Sequence, residues 1–345
     1  MQTAIPCTMM RAGTSRGPFF RAADLPADPA IRNAVLIAAM GAGSPLQADG
    51  LGGNHPQTSK VAIVSPATGH DADLDYLFAQ VAPDRAAVDT APNCGNMLAG
   101  VGPFAIAAGL VAACNGETII RVRNLNAGAL IELRVATPDF TPDPAAPIQM
   151  RFRDIAGGRT GRLFPSGARQ ETLDGIPATL IDCANPLLLL DASALGADPA
   201  APPEALEADR ALMARIETLR RLAGIRMGLG EVSDSVVPKP ILIGPATDAA
   251  LMVRYFTPRA AHRALAVTGA IGLAAAVRLP GTLAAAFAGA HPERNVRLRH
   301  PSGVFEVALE LDGPAIAWAG VTRTARPLFE GRVLIPEAVW SGSRA

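Results

Sequence analysis

The sequence predicts a β-rich α+β protein built from two similar halves. Three observations lead there. Short apolar runs with β-branched residues alternate with Gly and Pro, helix-period stretches are few, and one strand-and-helix pattern occurs twice. The strand runs are KVAIVSP (60–66), TIIRVRNLN (118–126), LIELRVAT (130–137), IQMRFRDI (148–155), TLIDC (179–183), PILIGP (240–245), NVRLRH (295–300), VFEVALEL (304–311) and AIAWAGVTR (315–323). Helices are expected at Pro29 to Met40, Met97 to Leu110, Pro203 to Ala223 and Ile271 to Arg278. The echo joins Lys60, which opens KVAIVSP, to Lys239, which opens KPILIGP. Each run reaches a proline six residues on and is followed by a Gly-containing turn into a small-residue helix, NCGNMLAGVG (93–102) or VTGAIGLAAA (267–276).

With 345 residues, 49% of them hydrophobic, the chain can bury more than one core. We expect two domains, 1–184 and 185–345, with the chain end free to return to the first. The crossing falls near the Ala/Pro/Asp-rich DASALGADPAAPPEALEADR (191–210). Zero formal charge and 4% aromatics leave neither the basic footprint nor the stacking platforms of a nucleic-acid binder, so a small molecule is the expected partner. The N-terminus has no basic segment leading into an apolar one, and no stretch reaches about 18 uninterrupted apolar residues. A soluble, cytoplasmic protein without a membrane partner is expected.

Cys7, Cys94, Cys114 and Cys183 form no CxxC pair and no zinc-site spacing, so reduced thiols are the expectation. Cys7, Cys114 and Cys183 read as small core residues. Among 31 basic residues only Lys60 and Lys239 are lysines. A desolvated ammonium can lose its proton near neutral pH and a guanidinium effectively cannot, so each lysine is a candidate for a position where Arg would not serve.

In APNCGNMLAGVG (91–102), Asn93 or Cys94 stands at the start of the helix, and Gly95 permits close backbone approach. Helix-end amides would lower the pKa of a thiol there and favour a carboxylate; the other reading is a buried, inert cysteine. In DGLGGNHPQTSKVAIVSP (49–66), Lys60 enters an apolar strand, which desolvates it towards the range of a general base. The alternative is an edge-strand lysine with its head in water. His55 reads as a surface or supporting residue. MRAGTSRGPFF (10–20) gathers Arg11, Thr14, Ser15 and Arg16 around two glycines, a donor set for a carboxylate or phosphate or a plain turn between strands. It has neither the P-loop nor the dinucleotide order of glycines. His300, Ser302 and Gly303 form a turn before a strand, and Lys239, between two prolines, reads as structural.

Taken together, MRAGTSRG, DGLGGNHPQTSKVAIV, NCGNMLAGVGPFAI, VSDSVVPKP, AVTGAI and HPSG resemble, in this order, the motifs of the PrpF-type allylic isomerases, relatives in fold of diaminopimelate epimerase. The likeness spans nearly the whole chain and is strongest to the family's 4-oxalomesaconate tautomerases. It implies a diaminopimelate epimerase-like α+β fold: two pseudo-symmetric domains, each a central helix wrapped by strands, with the active site in the cleft between them.

The resemblance further implies a cofactor-independent, metal-free 1,3-proton shift, an allylic isomerisation or a keto-enol tautomerisation, in an unsaturated polycarboxylate. 4-Oxalomesaconate is the first candidate, with 2-methylaconitate, aconitate or 3-methylitaconate as alternatives. An inactive polycarboxylate-binding relative is the reading from another class, and a homodimer is a candidate assembly. Lys60 and Cys94 would be the catalytic pair. Arg11, Thr14, Ser15, Arg16, Gly52, Gly53, Asn54, Ser59, Gly95, Asn96, Met97, Thr268, Gly269, His300, Ser302 and Gly303 would hold substrate. Ala12, Arg16 and Asn54 stand where the family usually has Gly, Lys and Gly. Two-thiol epimerases of this fold need a second cysteine, where this chain has Ala266-Val267-Thr268-Gly269.

Overall fold

The sequence echo is a repeat of sheet topology. The computed structural model describes residues 1–342 apart from 45, 91, 93, 127, 234, 258, 259, 291 and 292. Two compact units emerge, one of residues 1–152 with 322–345, the other of residues 153–321.

The first unit carries β1 (Gln2–Ala12), β2 (Ser15–Arg21), α1 (Pro29–Met40), β3 (Lys60–Pro66), β4 (Leu74–Val81), β5 (Val88–Asp89), α2 (Gly95–Ala99), α3 (Val101–Ala107), β6 (Gly116–Asn124), β7 (Ala129–Thr137) and β8 (Ile148–Phe152). The last strand of the chain, Ala325–Pro336, returns to pair antiparallel with β1. From it the order runs β1, β2, β3, β4, β6, β7, β8, with parallel pairs at β2/β3 and β4/β6, antiparallel pairs elsewhere, and β5 against the end of β4.

The second unit carries β9 (Glu171–Leu173), β10 (Ile176–Asp182), β11 (Pro186–Asp191), α4 (Pro203–Ala208), α5 (Arg210–Arg226), β12 (Lys239–Gly244), β13 (Leu251–Thr257), β14 (Ala260–Ala261), α6 (Val267–Arg278), α7 (Leu283–Ala288), β15 (Asn295–His300), β16 (Gly303–Asp312) and β17 (Ala315–Arg323); the return strand is β18. Its order is β9, β10, β11, β12, β13, β15, β16, β17, with parallel pairs at β11/β12 and β13/β15 and β14 against the end of β13. Strand for strand this repeats the first unit, and β3 and β12 are equivalent. Residue 185, where the sequence suggested a crossing, sits in the tight turn of the β10/β11 hairpin, between the paired Asp182 and Pro186.

Both faces are buried at the centre of each sheet, in β2, β3, β11 and β12 around a parallel pair, while outer strands such as β6 and β15 alternate buried and exposed residues. In the first unit α1 covers one face, its Val35, Leu36, Ala39 and Met40 packed with Phe20, Val61, Ile63 and Ala79. Asp28 caps α1 by accepting from Ala30 and Ile31 N–H, Pro29 fits its first turn, and Gly41 ends it in a left-handed conformation. The opposite face holds α2 and α3. The single helix expected from Met97 to Leu110 is broken at Gly100 because Pro103 has no N–H to offer the Ala99 carbonyl. A Cβ on Gly100 would lie 2.5 Å from the Phe19 ring, so only glycine allows this approach.

In the second unit α5 covers one face through Leu212, Ile216, Leu219 and Ala223. The central helix α6 fills the other, with every residue except Thr268 and Arg278 buried. Its glycines bring backbone onto the sheet: a Cβ at Gly269 would meet the Tyr255 ring at 2.5 Å and one at Gly272 would meet Leu187 at 2.4 Å. Cys7 and Cys183 are buried as expected, whereas Cys114 is exposed, since it lies in the loop entering β6 and not in the core.

Candidate active site

One face of β4 organises the first unit's chemistry. Side chains alternate along a strand, so Tyr76, Phe78 and Gln80 share a face with their cross-strand partners Val64, Ala62 and Lys60. Lys60 Nζ donates to Gln80 Oε1 at 2.7 Å and sits 4.9 Å from the centre of the Phe78 ring. Gln80 is fixed in turn, its amide donating to the Pro56 and Ser59 carbonyls at 3.0 and 2.9 Å. The Tyr76 hydroxyl donates to the Cys94 carbonyl at 3.3 Å, and burial, with the neighbouring thiol second, pushes this phenol well above its ordinary range. Lys60 and Cys94 are therefore held by one stripe of side chains. Cys94 is the N-terminal cap of α2 and is 9% exposed; Asn93 lies outside the described residues.

The predicted donor loop meets the same corner. The Gly17 backbone presses on Lys60 so closely that a Cβ there would stand 1.7 Å from the Lys60 carbonyl oxygen and 3.2 Å from Met97 Cε. Gly13, at φ +54°, is backed by the Asn96 side chain, whose Nδ2 donates to Thr14 Oγ1 at 3.1 Å. A Cβ on Gly53 would lie 2.8 Å from Arg16 Nη2, so this guanidinium abuts the Gly-rich loop. Arg16 Nε and Asn96 Oδ1 are buried with no hydrogen-bond partner among the described residues. These are two polar atoms available to a ligand.

Other predicted residues do structural tasks. Arg11 Nη1 donates to the Gly13 and Thr324 carbonyls and to Thr324 Oγ1, tying β1 to the return strand. Ser15 and Met97 are buried, and Ser59 is fully buried with its hydroxyl donating to Gln47 Oε1 at 2.7 Å. The same Oε1 accepts from Asn54 N–H at 2.7 Å, while Gln47 Nε2 donates to the Met40 carbonyl and fills the space beside Gly52. Gln47 thereby sets the Gly-rich loop on the end of α1. His55 is exposed and accepts from the Gln57 N–H. Sequence reasoning missed Gln47, Tyr76, Phe78 and Gln80; the visible signal was the alternation in DYLFAQV.

In the second unit the predicted residues gather round Tyr255. Gly269 lies against its ring, and the half-buried Thr268 precedes Gly269 in the first turn of α6. His262 meets Tyr255 edge-on with ring centres 5.7 Å apart. Next to it, the Arg263 carbonyl accepts from the Ser302 hydroxyl, and Ser302 N–H donates to His300 Nδ1 at 3.2 Å, closing the turn that ends at Gly303. Lys239 belongs here too: burial first, then the nearby Arg220 and Arg159, bring its amine down to about 8. Burial also lowers His262, with Lys239 adding to the effect, and burial raises Tyr255.

Among the described residues no group of three or more His, Cys, Asp or Glu is placed to hold a metal ion, and no helix is long and apolar enough to cross a membrane.

Two similar halves, each with a helix wrapped by strands, define the diaminopimelate epimerase-like α+β fold; racemase- and epimerase-named structures at 16% identity share it with TM-scores of 0.57 and 0.56. The chain belongs to the PrpF protein family, which it matches over residues 2–336, and it is an isomerase. It is 46% identical to YbhH of Escherichia coli (strain K12), over 96% of this chain and 99% of that one. To the 4-oxalomesaconate tautomerase of Pseudomonas putida (strain KT2440) it is 42% identical over 99% of each chain. The crystal structure of a methylitaconate-delta-isomerase superimposes with a TM-score of 0.89 at 32% identity, covering 98% of this chain and 97% of that one.

Proposed function

We propose that the protein shifts a double bond in an unsaturated polycarboxylate by moving a proton between two carbons of an allylic system, with 4-oxalomesaconate as substrate. Lys60 and Cys94 carry the proton transfers. The allylic C–H bond breaks as one of them takes the proton, the double bond moves, and the other group delivers a proton two carbons away. No net oxidation or reduction occurs, and no cofactor enters the scheme. Between the two transfers the charge rests on a dienolate spread into a conjugated carbonyl or carboxylate. The Arg16 guanidinium, whose buried Nε has no partner among the described residues, is the donor we assign to it, because fixed donors stabilise developing charge without reorganising; Asn96 Oδ1, an acceptor, is left for a hydroxyl or a protonated carboxyl of the substrate.

The observation that carries this reading is the β4 stripe, which secures the Lys60 ammonium through Gln80 and the Cys94 backbone through Tyr76. A lone buried lysine or a lone core cysteine would need no such common support. The choice of 4-oxalomesaconate leans on the Pseudomonas putida tautomerase; the methylitaconate-delta-isomerase supports a methyl-substituted dicarboxylate as the second substrate to try. The test is solvent deuterium incorporation into 4-oxalomesaconate, 2-methylaconitate and 3-methylitaconate by wild type and Lys60→Met. Wild type should exchange with at least one of them, and Lys60→Met should lose exchange by about three orders of magnitude or more, as for removal of a positioned acid/base group. Undiminished exchange in the variant defeats the role of Lys60. Binding without exchange in wild type would identify a polycarboxylate-binding protein instead.

A further inference from the structure

The duplicated topology supplies a second lysine at the position of the first. Lys239 opens β12 as Lys60 opens β3, and each strand lies between a parallel neighbour and an antiparallel one. Lys239 shares a face with Ile241, and so with Tyr255 opposite Ile241 and with Leu187 opposite Lys239. That is the face on which α6 sits, since Gly269 touches Tyr255 and Gly272 touches Leu187.

The two lysines differ in what meets the amine. Lys60 has Gln80 across the ladder as an acceptor. Continuing the β12/β13 register by two pairs beyond Ile241/Tyr255 puts Thr257 opposite Lys239, and the Thr257 hydroxyl is turned to the Ala260 carbonyl at 3.1 Å. Among the described residues Lys239 Nζ has no hydrogen-bond or ion-pair partner. The charged groups that reach it electrostatically are Arg220 from α5 and Arg159 from the loop before β9, and its own charge is felt at His262 beside Tyr255. Arg220 is already satisfied. It pairs with Glu217 and donates to the carbonyls of Val232, Ser235 and Val237, which fixes the segment leading into Lys239. What remains is a half-buried amine, an exposed Arg159 and an imidazole; the buried Asp182 carboxylate meets the Arg159 loop but is taken up by the Arg159 and Thr160 N–H groups and the Thr160 hydroxyl, and among the described residues no carboxylate pairs with the Lys239 amine.

We propose that Lys239 is the centre of a carboxylate-binding subsite on the second unit, taking one carboxylate of a di- or tricarboxylate with Arg159 and His262 beside it. The subsite deepens the proposed function by assigning a binding role to a residue outside the proton-transfer pair. A bound carboxylate supplies the acceptor and the negative charge that the amine lacks, and it restores the protonated form of the lysine. Binding near pH 8 to 9 therefore takes up protons at Lys239.

Tricarballylate is the probe: a saturated tricarboxylate that has no allylic proton to shift. Its affinity and its proton uptake are measured by titration calorimetry at pH 7.0 and pH 8.5, in buffers of different ionisation enthalpy, with wild type, Lys239→Met and Lys239→Gln. Both variants should melt cooperatively, bind the probe about 10- to 100-fold more weakly, as for loss of a charged hydrogen bond, and lose the proton uptake at pH 8.5. Wild-type affinity and unchanged uptake in either folded variant overturn the proposal, as does failure of wild type to bind the probe. The outcome stands apart from turnover: a wild type that binds tricarballylate through Lys239 yet exchanges no allylic proton defeats the proposed function and leaves the subsite in place.

Discussion

Replacing Lys239 by Met should make the ligand-free protein more stable at neutral pH. The amine is charged at pH 7 in both folded and unfolded chains, but burial and then Arg220 and Arg159 disfavour the charge in the fold, moving it from 10.5 to about 8. Such a shift corresponds to about 3 kcal/mol at most, and solvent that still reaches the half-buried amine reduces the realised value to about 1 to 2 kcal/mol. Met keeps the stem and drops the charge. The sign follows from proton counting: between about 8 and 10.5 the unfolded chain holds the proton that the folded chain has released, so wild-type stability rises with pH through that window. Lys239→Met has no such rise. Urea denaturation followed by tryptophan fluorescence, in buffers without carboxylates or phosphate, should show the variant unfolding at higher urea at pH 7.0 and more than half of the gap closed at pH 9.5. A variant less stable than wild type at pH 7.0, or a gap that does not change with pH, refutes the reasoning.

Two packing predictions test the first unit. Gly17→Ala puts a methyl 1.7 Å from the Lys60 carbonyl, which is backbone and cannot yield, so it should cost about 3 kcal/mol or more and displace the start of β3; circular-dichroism melts should show this beside Gly331→Ala, where nothing lies within 4 Å and the change should stay within about 0.5 kcal/mol. Gln47→Leu leaves Asn54 N–H and the buried Ser59 hydroxyl without their acceptor, at a cost of about 2 kcal/mol or more by urea denaturation, and hydrogen exchange should quicken at Asn54.

Strands were legible where apolar and β-branched residues recur on one face, as in β3, β6 to β8 and β15 to β17. They were hidden where the pattern is of another kind. β11 reads PLLLLD because it is buried on both faces, so it shows no period. β18 is exposed along most of its length and contains Pro327 and Gly331, yet pairing with β1 makes it a strand. β1 holds Pro6 inside a mixed run, and β4 mixes aromatic and polar residues because one face serves the site. The short helix α7 escaped notice for want of a period long enough to read. At the site, Lys60, Cys94, Arg16 and Asn96 stood out as residue types in Gly-rich turns. Gln80 and Gln47 did not, since their importance comes from a ladder register and a loop closure that join residues distant in sequence. Lys239 was read as structural for the same reason: only the register shows that its ladder neighbour offers no acceptor.

The duplication also bears on the proposed proton shift between two carbons, as against inversion of one. Inversion by two thiols needs a reactive cysteine on each half. The second unit's single cysteine, Cys183, is fully buried beneath α6, and burial, with Asp182 second, pushes its thiol far up. Cys7 packs with Val61 and Ile63 on the α1 side of the first sheet, away from the face that bears Lys60, and burial raises its thiol as well. Cys114 is exposed in a loop. Cys94 therefore has no matching thiol, and the position of Gly95's neighbour in the other half belongs to Thr268. Each half instead contributes a lysine at one and the same place in its sheet. In the first, Gln80 holds that lysine and Tyr76, on the same face, holds the Cys94 carbonyl; in the second, Arg220 and Arg159 are the charges that act on it, and among the described residues no carboxylate pairs with it. The same strand position thus carries a lysine with a side-chain acceptor in one half and, among the described residues, a lysine without one in the other, and on that difference rest the proton-transfer role proposed for Lys60 and the carboxylate-binding role proposed for Lys239.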